Sequence, residues 1–144
     1  MEDKKVVMVF GVFDLLHPGH INFLEQAKKL GDKLIVSVAR DKNAQKIKKY
    51  PPVFNEKERV KDLRALGVVD RVVLGGKGDP WPHIIRENPQ IIVLGYDQNE
   101  YVGNLRAEIL SRGLDIKIKR LKPFKPRRYK SSKIRQRIKN GKPL

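Results

Sequence analysis

Short runs of apolar residues recur along this chain, and they restrict the folds open to it more than any other feature. The runs at 6–10 and 91–94 contain only apolar residues, and those at 33–39 and 71–74 nearly so. Each run is too short to cross a membrane and too continuous for a half-exposed strand, so we predict strands that are buried on both faces. Ile116 and Ile118 alternate with lysines, which is typical of an edge strand.

Segments in which apolar residues recur at helical spacing separate these runs. They predict helices that begin near residues 18, 55, 81 and 99. Strands that alternate with helices imply right-handed crossovers and a parallel sheet covered on both faces. We therefore predict an α/β fold, a single Rossmann-like, doubly wound parallel sheet in one domain over 1–144. A basic C-terminal helix, capped by Ser131 and Ser132, would complete it.

The formal net charge of +16 is the one unusual feature of the composition. A positive field of this size attracts nucleic acid, anionic surfaces or small polyanionic substrates, and it does not choose among them. The chain has 40% hydrophobic residues and no cysteine, so it can bury one core and uses neither disulfides nor thiol catalysis. Its polar N-terminal residues lead into only a short apolar run, so we expect a cytoplasmic protein without a secretory signal or a membrane segment.

The transition from the first strand to the first helix holds the most specific pattern. A glycine ends the strand, and His17, Pro18, Gly19 and His20 open the helix. Proline is tolerated in a first helical turn, and glycine lets a ligand approach the backbone. Unpaired N–H groups and two imidazoles at a helix N-terminus suit an anion such as phosphate. The alternatives are a capping histidine beside a surface histidine, and a zinc site that would need His83, which we interpret as structural.

The other strand ends carry further candidates, because the carboxyl ends of parallel strands meet at the edge where ligands bind. The stretch 40–50 contains Lys46 and Lys48 and precedes a pair of prolines, which predicts a mobile basic loop. Asp97 follows the strand at 91–94. Structural alternatives are a solvated charge run for the lysines and a helix cap for Asp97.

The motif GVFDLLHPGH at 11–20 resembles the G-x-F-D-x-x-H-x-G-H signature of a nucleotidyltransferase superfamily. That superfamily includes glycerol-3-phosphate cytidylyltransferase, pantetheine-phosphate adenylyltransferase and the archaeal FAD synthases. The resemblance implies that His17 and His20 hold the nucleotide's phosphates during attack on the α-phosphorus. It implies that Asp14 orients the acceptor or a metal, with a local loop-stabilising hydrogen bond as the alternative. The other nucleotide-binding positions that it implies are Val12, Phe13, Pro18 and Gly19.

Two further matches concern the charge on the phosphates and the nucleotide itself. KIKK at 46–49 resembles the Lys-x-Lys of glycerol-3-phosphate cytidylyltransferase, which implies that Lys46 and Lys48 neutralise charge on the α-phosphate. LGYDQ at 94–98 is similar to the L-G-x-D-Q of the archaeal FAD synthases, which implies that Asp97 contacts the base or the ribose.

A third match lies near the C-terminal end. The superfamily's late motif I-S-[ST]-[ST]-x-I holds the β- and γ-phosphates, and YKSSKI at 129–134 resembles it, with Tyr and Lys in the first two places. The resemblance implies nucleotide binding by Ser131 and Ser132. It implies acceptor binding by Arg128, as the arginine that often precedes the motif.

Over most of the chain the resemblance is closest to archaeal-type FAD synthase, through HPGH, VARD at 38–41, VDRVVLG at 69–75 and LGYDQ. It implies transfer of AMP from ATP to FMN with release of pyrophosphate, with Mg²⁺ or another divalent cation on the triphosphate, in a homodimer. Positioning and charge neutralisation would carry the reaction without a general base. Glycerol-3-phosphate cytidylyltransferase or a related CTP- or ATP-dependent transferase is the alternative. From another class, the charge permits a nucleic-acid-binding module with a vestigial site, although we do not expect nucleic acid as the partner.

Overall fold

The computed structural model describes residues 4–76, 79–95 and 102–121, with all side chains in these ranges except those of residues 47, 48, 102 and 103. The predicted C-terminal helix lies outside these ranges. Five strands and five helices are described, and their bounds are β1 (Val6–Gly11), α1 (Pro18–Lys28), β2 (Lys33–Val38), α2 (Asp41–Lys48), α3 (Glu56–Arg64), β3 (Arg71–Leu74), α4 (Trp81–Glu87), β4 (Ile91–Leu94), α5 (Val102–Ser111) and β5 (Lys117–Arg120).

The strands form one parallel sheet in the order β3-β2-β1-β4-β5. The central strand β1 pairs with β2 from Val6 opposite Lys33 to Gly11 opposite Val38, and with β4 on its other side. The chain runs outward through β2 and β3 and then crosses to β4 and β5, so the strand order reverses between β1 and β4. The predicted doubly wound α/β fold is confirmed, and ligands of such sheets bind at the carboxyl ends of the strands, at this reversal.

Alternate side chains of β1 enter two separate apolar cores. Val7 and Val9 pack with residues of α1 and α3, whereas Met8 and Phe10 pack with residues of α4 and α5. All four side chains are at most 5% exposed. Each such burial contributes about 1.5–3 kcal/mol to stability. The strand is therefore buried on both faces, as its uninterrupted apolar run predicts.

Local sequence signals also place several element ends correctly. The strand β3 has the predicted bounds, as has β4. The helix α3 begins at a capping box, in which the Asn55 side chain accepts the Glu58 N–H and the Glu58 carboxylate accepts the Asn55 N–H. In the part of the chain that the structure describes, every helix is too short or too polar to cross a membrane.

The prediction of a mobile basic loop over 40–50 is wrong, because Asp41–Lys48 form the helix α2. The helix begins where the Glu56 carboxylate accepts the Asp41 N–H at 3.0 Å, a cap that comes from 15 positions away in the sequence. Ala44 is fully buried, and Lys49 ends the helix in the left-handed conformation. Tertiary contacts thus supply the helix with stability that its polar sequence does not reveal.

Candidate functional site

The carboxyl ends of β1, β2 and β3 open onto one edge of the sheet. Beyond the strand ends, the Ala39 N–H donates to the Gly11 carbonyl at 2.9 Å, and the Gly75 N–H donates to the Val38 carbonyl at 2.8 Å. The segment after β1, the start of α2 and the segment after β3 therefore lie side by side. This is the convergence of strand ends that the sequence predicts.

The segment after β1, residues 12–17, is the β1–α1 loop, and its backbone is strained. Phe13 and Leu15 have φ values of 52° and 56°, a left-handed conformation that costs roughly 1–2 kcal/mol for a residue with a Cβ. The Phe13 ring lies over Gly11, where an added Cβ would come within 2.8 Å of the ring. Val12 is 7% and Phe13 6% exposed. Their side chains belong to the core, and their role toward a nucleotide stays a prediction.

Asp14 anchors the β1–α1 loop to the segment before α3. Its carboxylate accepts the Val53 N–H at 2.6 Å and the Phe54 N–H at 3.0 Å, and the residue is 2% exposed. These donors stand 39 and 40 positions away in the sequence, so the contact is not the local turn considered above. The contacts make Asp14 a loop anchor, and its role toward the acceptor or a metal stays a prediction.

His17 caps the helix α1. Its Nδ1 accepts the Gly19 N–H at 3.1 Å, and Pro18 occupies the first helical position, where an N–H would lack a helical partner. Because Nδ1 accepts, the neutral ring carries its proton on Nε2. The capping histidine considered as an alternative is present. Capping by Nδ1 does not by itself exclude a role of His17 in phosphate binding.

His20 lies in the first turn of α1 and stacks on His17. The ring centroids are 3.8 Å apart at an interplanar angle of 24°. The Phe13 ring meets the His20 ring edge-on at 5.6 Å. The two imidazoles therefore form one stacked pair at a helix N-terminus. The alternative of a capping histidine beside an unrelated surface histidine does not account for this pairing.

The predicted lysines, Lys46 and Lys48, lie on the helix α2, which follows β2. Lys46 is exposed, and the side chain of Lys48 lies outside the described set. Arg40 Nε donates to the Gly75 carbonyl at 2.8 Å, and Asn43 Nδ2 donates to the Gly76 carbonyl at 3.0 Å. These bonds tie the start of the helix to the segment after β3.

Arg59 is a residue that sequence reasoning missed. Its side chain has no exposed surface, and it donates to the Val12 carbonyl at 2.8 Å, the Phe54 carbonyl at 3.1 Å and the Asp41 carboxylate at 2.7 Å. A signal was present, because Arg59 stands four positions before Leu63, on the apolar face of α3. A charged residue at a core position indicates a specific polar partner.

His83 lies in the packing between β2 and α4, consistent with its interpretation as structural. It is 5% exposed, its Nε2 lies 3.0 Å from Ser37 Oγ, and its ring meets Phe10 edge-on. Burial lowers the pKa of His83 below its ordinary value, and the charge of Arg86 adds to this against an opposing backbone hydrogen bond at Pro80.

The family model described as cytidylyltransferase-like matches residues 8–137. The chain belongs to the cytidylyltransferase-like family. Within it, an FAD synthase of Thermoplasma volcanium is 43% identical over 132 residues, which cover 92% of this chain and 92% of the relative. An FAD synthase of Archaeoglobus profundus is 46% identical over 133 residues, or 92% of this chain and 84% of that one. The predicted function, a nucleotidyltransferase similar to the FAD synthases, is confirmed.

Solved structures share the fold of this family member. One described as a lipopolysaccharide core biosynthesis protein from Thermoplasma volcanium has a TM-score of 0.79 and 42% identity, covering 85% of this chain and 99% of that one. A pantoate-β-alanine ligase from Francisella tularensis has a TM-score of 0.62 over 94% of this chain and 69% of its own, and at 17% identity it shows the fold alone.

Part of the predicted site lies outside the residues that the structure describes. The positions concerned are Asp97, Arg128, Ser131 and Ser132. Within the described ranges, no group of three or more His, Asp or Glu side chains could hold a metal ion. Asp14, the predicted acidic candidate, has both carboxylate oxygens on backbone N–H groups. The described part of the chain therefore does not fit a dedicated metal site.

Proposed function

We propose that this protein is an FMN adenylyltransferase that makes FAD from ATP and FMN. A phosphate oxygen of FMN attacks the α-phosphorus of ATP, the bond from that phosphorus to the bridging oxygen breaks, and pyrophosphate leaves with the electron pair. The similarity to proteins named FAD synthase over 92% of the chain carries the proposal. The paired histidines at the N-terminus of α1 support it, because they suit a phosphate chain.

In this proposal His17 and His20 bind the triphosphate together with the first turn of α1. The N-terminal end of a helix favours anions through its dipole and its N–H groups. The two rings are stacked with their centroids 3.8 Å apart, so both imidazoles stand at the same helix end. Gly19 has no side chain, so the phosphates can approach the backbone of the first turn of α1.

Lys46 and Lys48 would neutralise the charge that builds on the α-phosphate as the new bond forms. They lie on a helix whose start is tied by side chains to neighbouring segments. The backbone of a helix has less conformational freedom than that of the loop that the sequence predicted, so lysines on α2 are held in more fixed positions. This supports a role in positioned charge neutralisation, which is worth most when donors do not have to reorganise.

The reaction needs no general base from the protein. A phosphate monoester has its second pKa at about 6, so the attacking oxygen is largely deprotonated at neutral pH. Pyrophosphate also leaves as an anion. The work left to the protein is to align the two phosphates and to balance their charges.

We also propose that Mg²⁺ or another divalent cation enters with ATP and reduces the charge on its phosphates. The described residues offer no cage for the ion, so the roles given above do not depend on protein ligands to it. Proposed roles remain for Asp97 at the nucleoside and for Ser131 and Ser132 at the β- and γ-phosphates. Arg128 is proposed to bind the acceptor. A homodimer in the cytoplasm is part of the same proposal.

A panel of substrate pairs tests the proposal. ATP and CTP are each combined with FMN, glycerol 3-phosphate, phosphopantetheine and nicotinamide mononucleotide, with Mg²⁺, and pyrophosphate release is measured. We expect ATP with FMN to give the highest rate, and FAD to appear in the same amount as pyrophosphate. CTP with glycerol 3-phosphate should be a much poorer pair.

The control is a variant with His17→Ala and His20→Ala, expressed and purified in the same way, since it reports any contaminating host enzyme. If FMN is inert with both triphosphates while another acceptor turns over, the FMN assignment is wrong. If no substrate pair releases pyrophosphate and the protein binds RNA or DNA tightly and in a salt-sensitive way, the nucleic-acid-binding alternative is favoured.

A further inference from the structure

Arg59 is buried completely, although it carries a permanent charge. Taking a charged group out of water is costly, and an apolar side chain of similar volume is often as stable in such a place. The position lies on the apolar face of α3, four residues before the fully buried Leu63. The guanidinium group therefore needs an explanation other than packing.

The partners of Arg59 supply that explanation, since they come from three segments. Its side chain donates to the Val12 carbonyl in the β1–α1 loop, the Phe54 carbonyl before α3 and the Asp41 carboxylate at the start of α2. A planar guanidinium has N–H groups in fixed directions, so it fixes the relative positions of its acceptors. An apolar residue would fill the same volume without setting this geometry.

The contact with Asp41 matters because α2 has only two apolar residues in its sequence, Ala44 and Ile47. Several polar bonds meet at the start of this helix. Those from Glu56, Arg40 and Asn43 join it to α3 and to the segment after β3. Among the bonds described at this helix start, the one from Arg59 links it to the β1–α1 loop.

We propose that Arg59 is a positioning residue that sets α2, and with it Lys46 and Lys48, against the β1–α1 loop. The loop leads into the paired histidines, and α2 carries the lysines, so one buried group fixes the distance between the histidine pair and the lysines. The inference rests on the proposed function. It adds a residue that touches neither substrate and acts through the lysines.

Asp41→Ala compared with Asp41→Asn is the central test. The Asp41 side chain is 43% exposed, so we expect both variants to fold. Both remove the same charge from the start of α2, but the asparagine oxygen can still accept from Arg59. We expect kcat to fall on the order of tenfold in Asp41→Ala, with KM for ATP within about twofold of the wild type, and to be largely restored in Asp41→Asn. Equal loss in the two variants, or no loss in Asp41→Ala, would overturn the proposal.

A second comparison asks whether the effect passes through the lysines. Asp41→Ala is combined with Lys46→Ala and Lys48→Ala, and the residual kcat is measured. If Arg59 acts by placing the lysines, Asp41→Ala adds no further loss in this background. The same tenfold loss there would refute the proposal, because the contact would then act on something else.

Arg59→Lys keeps the charge but cannot reach all three acceptors, so it should lose at least as much kcat as Asp41→Ala. Arg71→Lys is its matched control, since Arg71 pairs with Glu87 at the opposite end of the sheet and is half exposed. Its kcat should equal that of the wild type. If Arg59→Lys does not fold, the Asp41 pair still decides.

Hydrogen exchange separates this proposal from the proposed function. If the wild type makes no FAD, the FMN assignment fails, and the backbone amides of residues 42–48 are compared without substrate. Exchange on the order of tenfold faster in Asp41→Ala than in Asp41→Asn supports positioning of α2 by Arg59. Equal exchange in folded protein overturns it.

Discussion

Removal of the Asp14 carboxylate should destabilise the protein by an amount that the contacts predict. Two backbone donors, the N–H groups of Val53 and Phe54, meet this carboxylate at 2.6 Å and 3.0 Å. A hydrogen bond to a charged group contributes about 1.5–3 kcal/mol, and the lower figure applies here because both bonds are only partly buried. Asp14→Ala loses both bonds, or about 3 kcal/mol, and Asp14→Asn keeps one acceptor and loses about half as much.

Thermal unfolding followed by circular dichroism measures this effect. For a chain of this size 1 kcal/mol corresponds to roughly 2–4 °C, so Asp14→Ala should lower Tm by about 6–12 °C and Asp14→Asn by about 3–6 °C. Asp62→Asn is the control, because Asp62 is exposed on α3. An unchanged Tm in both Asp14 variants, with a raised KM for FMN, would refute this reasoning. Asp14 would then be the acceptor-orienting carboxylate implied by the family resemblance.

Three further outcomes are expected. His20→Ala should keep the fold and lower kcat on the order of a hundredfold, the scale for loss of one transition-state donor, so full activity in folded protein would remove His20 from the site. Lys46→Ala with Lys48→Ala should slow FAD formation and leave Tm nearly unchanged, because Lys46 is exposed and surface charges contribute little to stability; a Tm loss of many degrees would place the lysines in a structural network. His83→Gln tests a pH effect. Burial lowers the pKa of His83 from 6.5, so below that pH the unfolded chain takes up a proton that the folded protein resists, and stability falls. Tm should therefore drop less between pH 7.5 and pH 5 in His83→Gln than in the wild type, and equal drops would contradict this.

The sheet could be predicted from the sequence because its signals are local. The run Val6–Phe10 is apolar on both faces, and the bounds of β3 and β4 follow from runs of the same kind. Asn55 and Glu58 form a capping box at the spacing that the sequence displays. Where contacts between residues three or four positions apart decide the structure, the local sequence pattern is enough to predict it.

The helix α2 could not be predicted because its supports are distant in the sequence. Its cap comes from Glu56 and its ion pair from Arg59, and only Ala44 and Ile47 along it are apolar. Polar segments rich in lysine have no periodicity that separates such a helix from a loop.

For the site, the histidine pair was found because both residues stand in one short motif. The anchors of the β1–α1 loop were not found. Asp14 meets donors about 40 positions away. The partners of Arg59 come from separate segments, and a pairing of this kind leaves no periodic trace in a single sequence.

The left-handed residues Phe13 and Leu15 limit how far the histidine motif can be transplanted. Neither is glycine, so a free peptide with the sequence of residues 11–20 would leave this backbone conformation. Asp14 and Arg59 hold it in place from outside the motif. An engineer who grafts only these ten residues onto another parallel sheet would copy the two imidazoles without their alignment. The smallest portable unit is the loop together with residues 53–59, which lie far along the chain and directly against it.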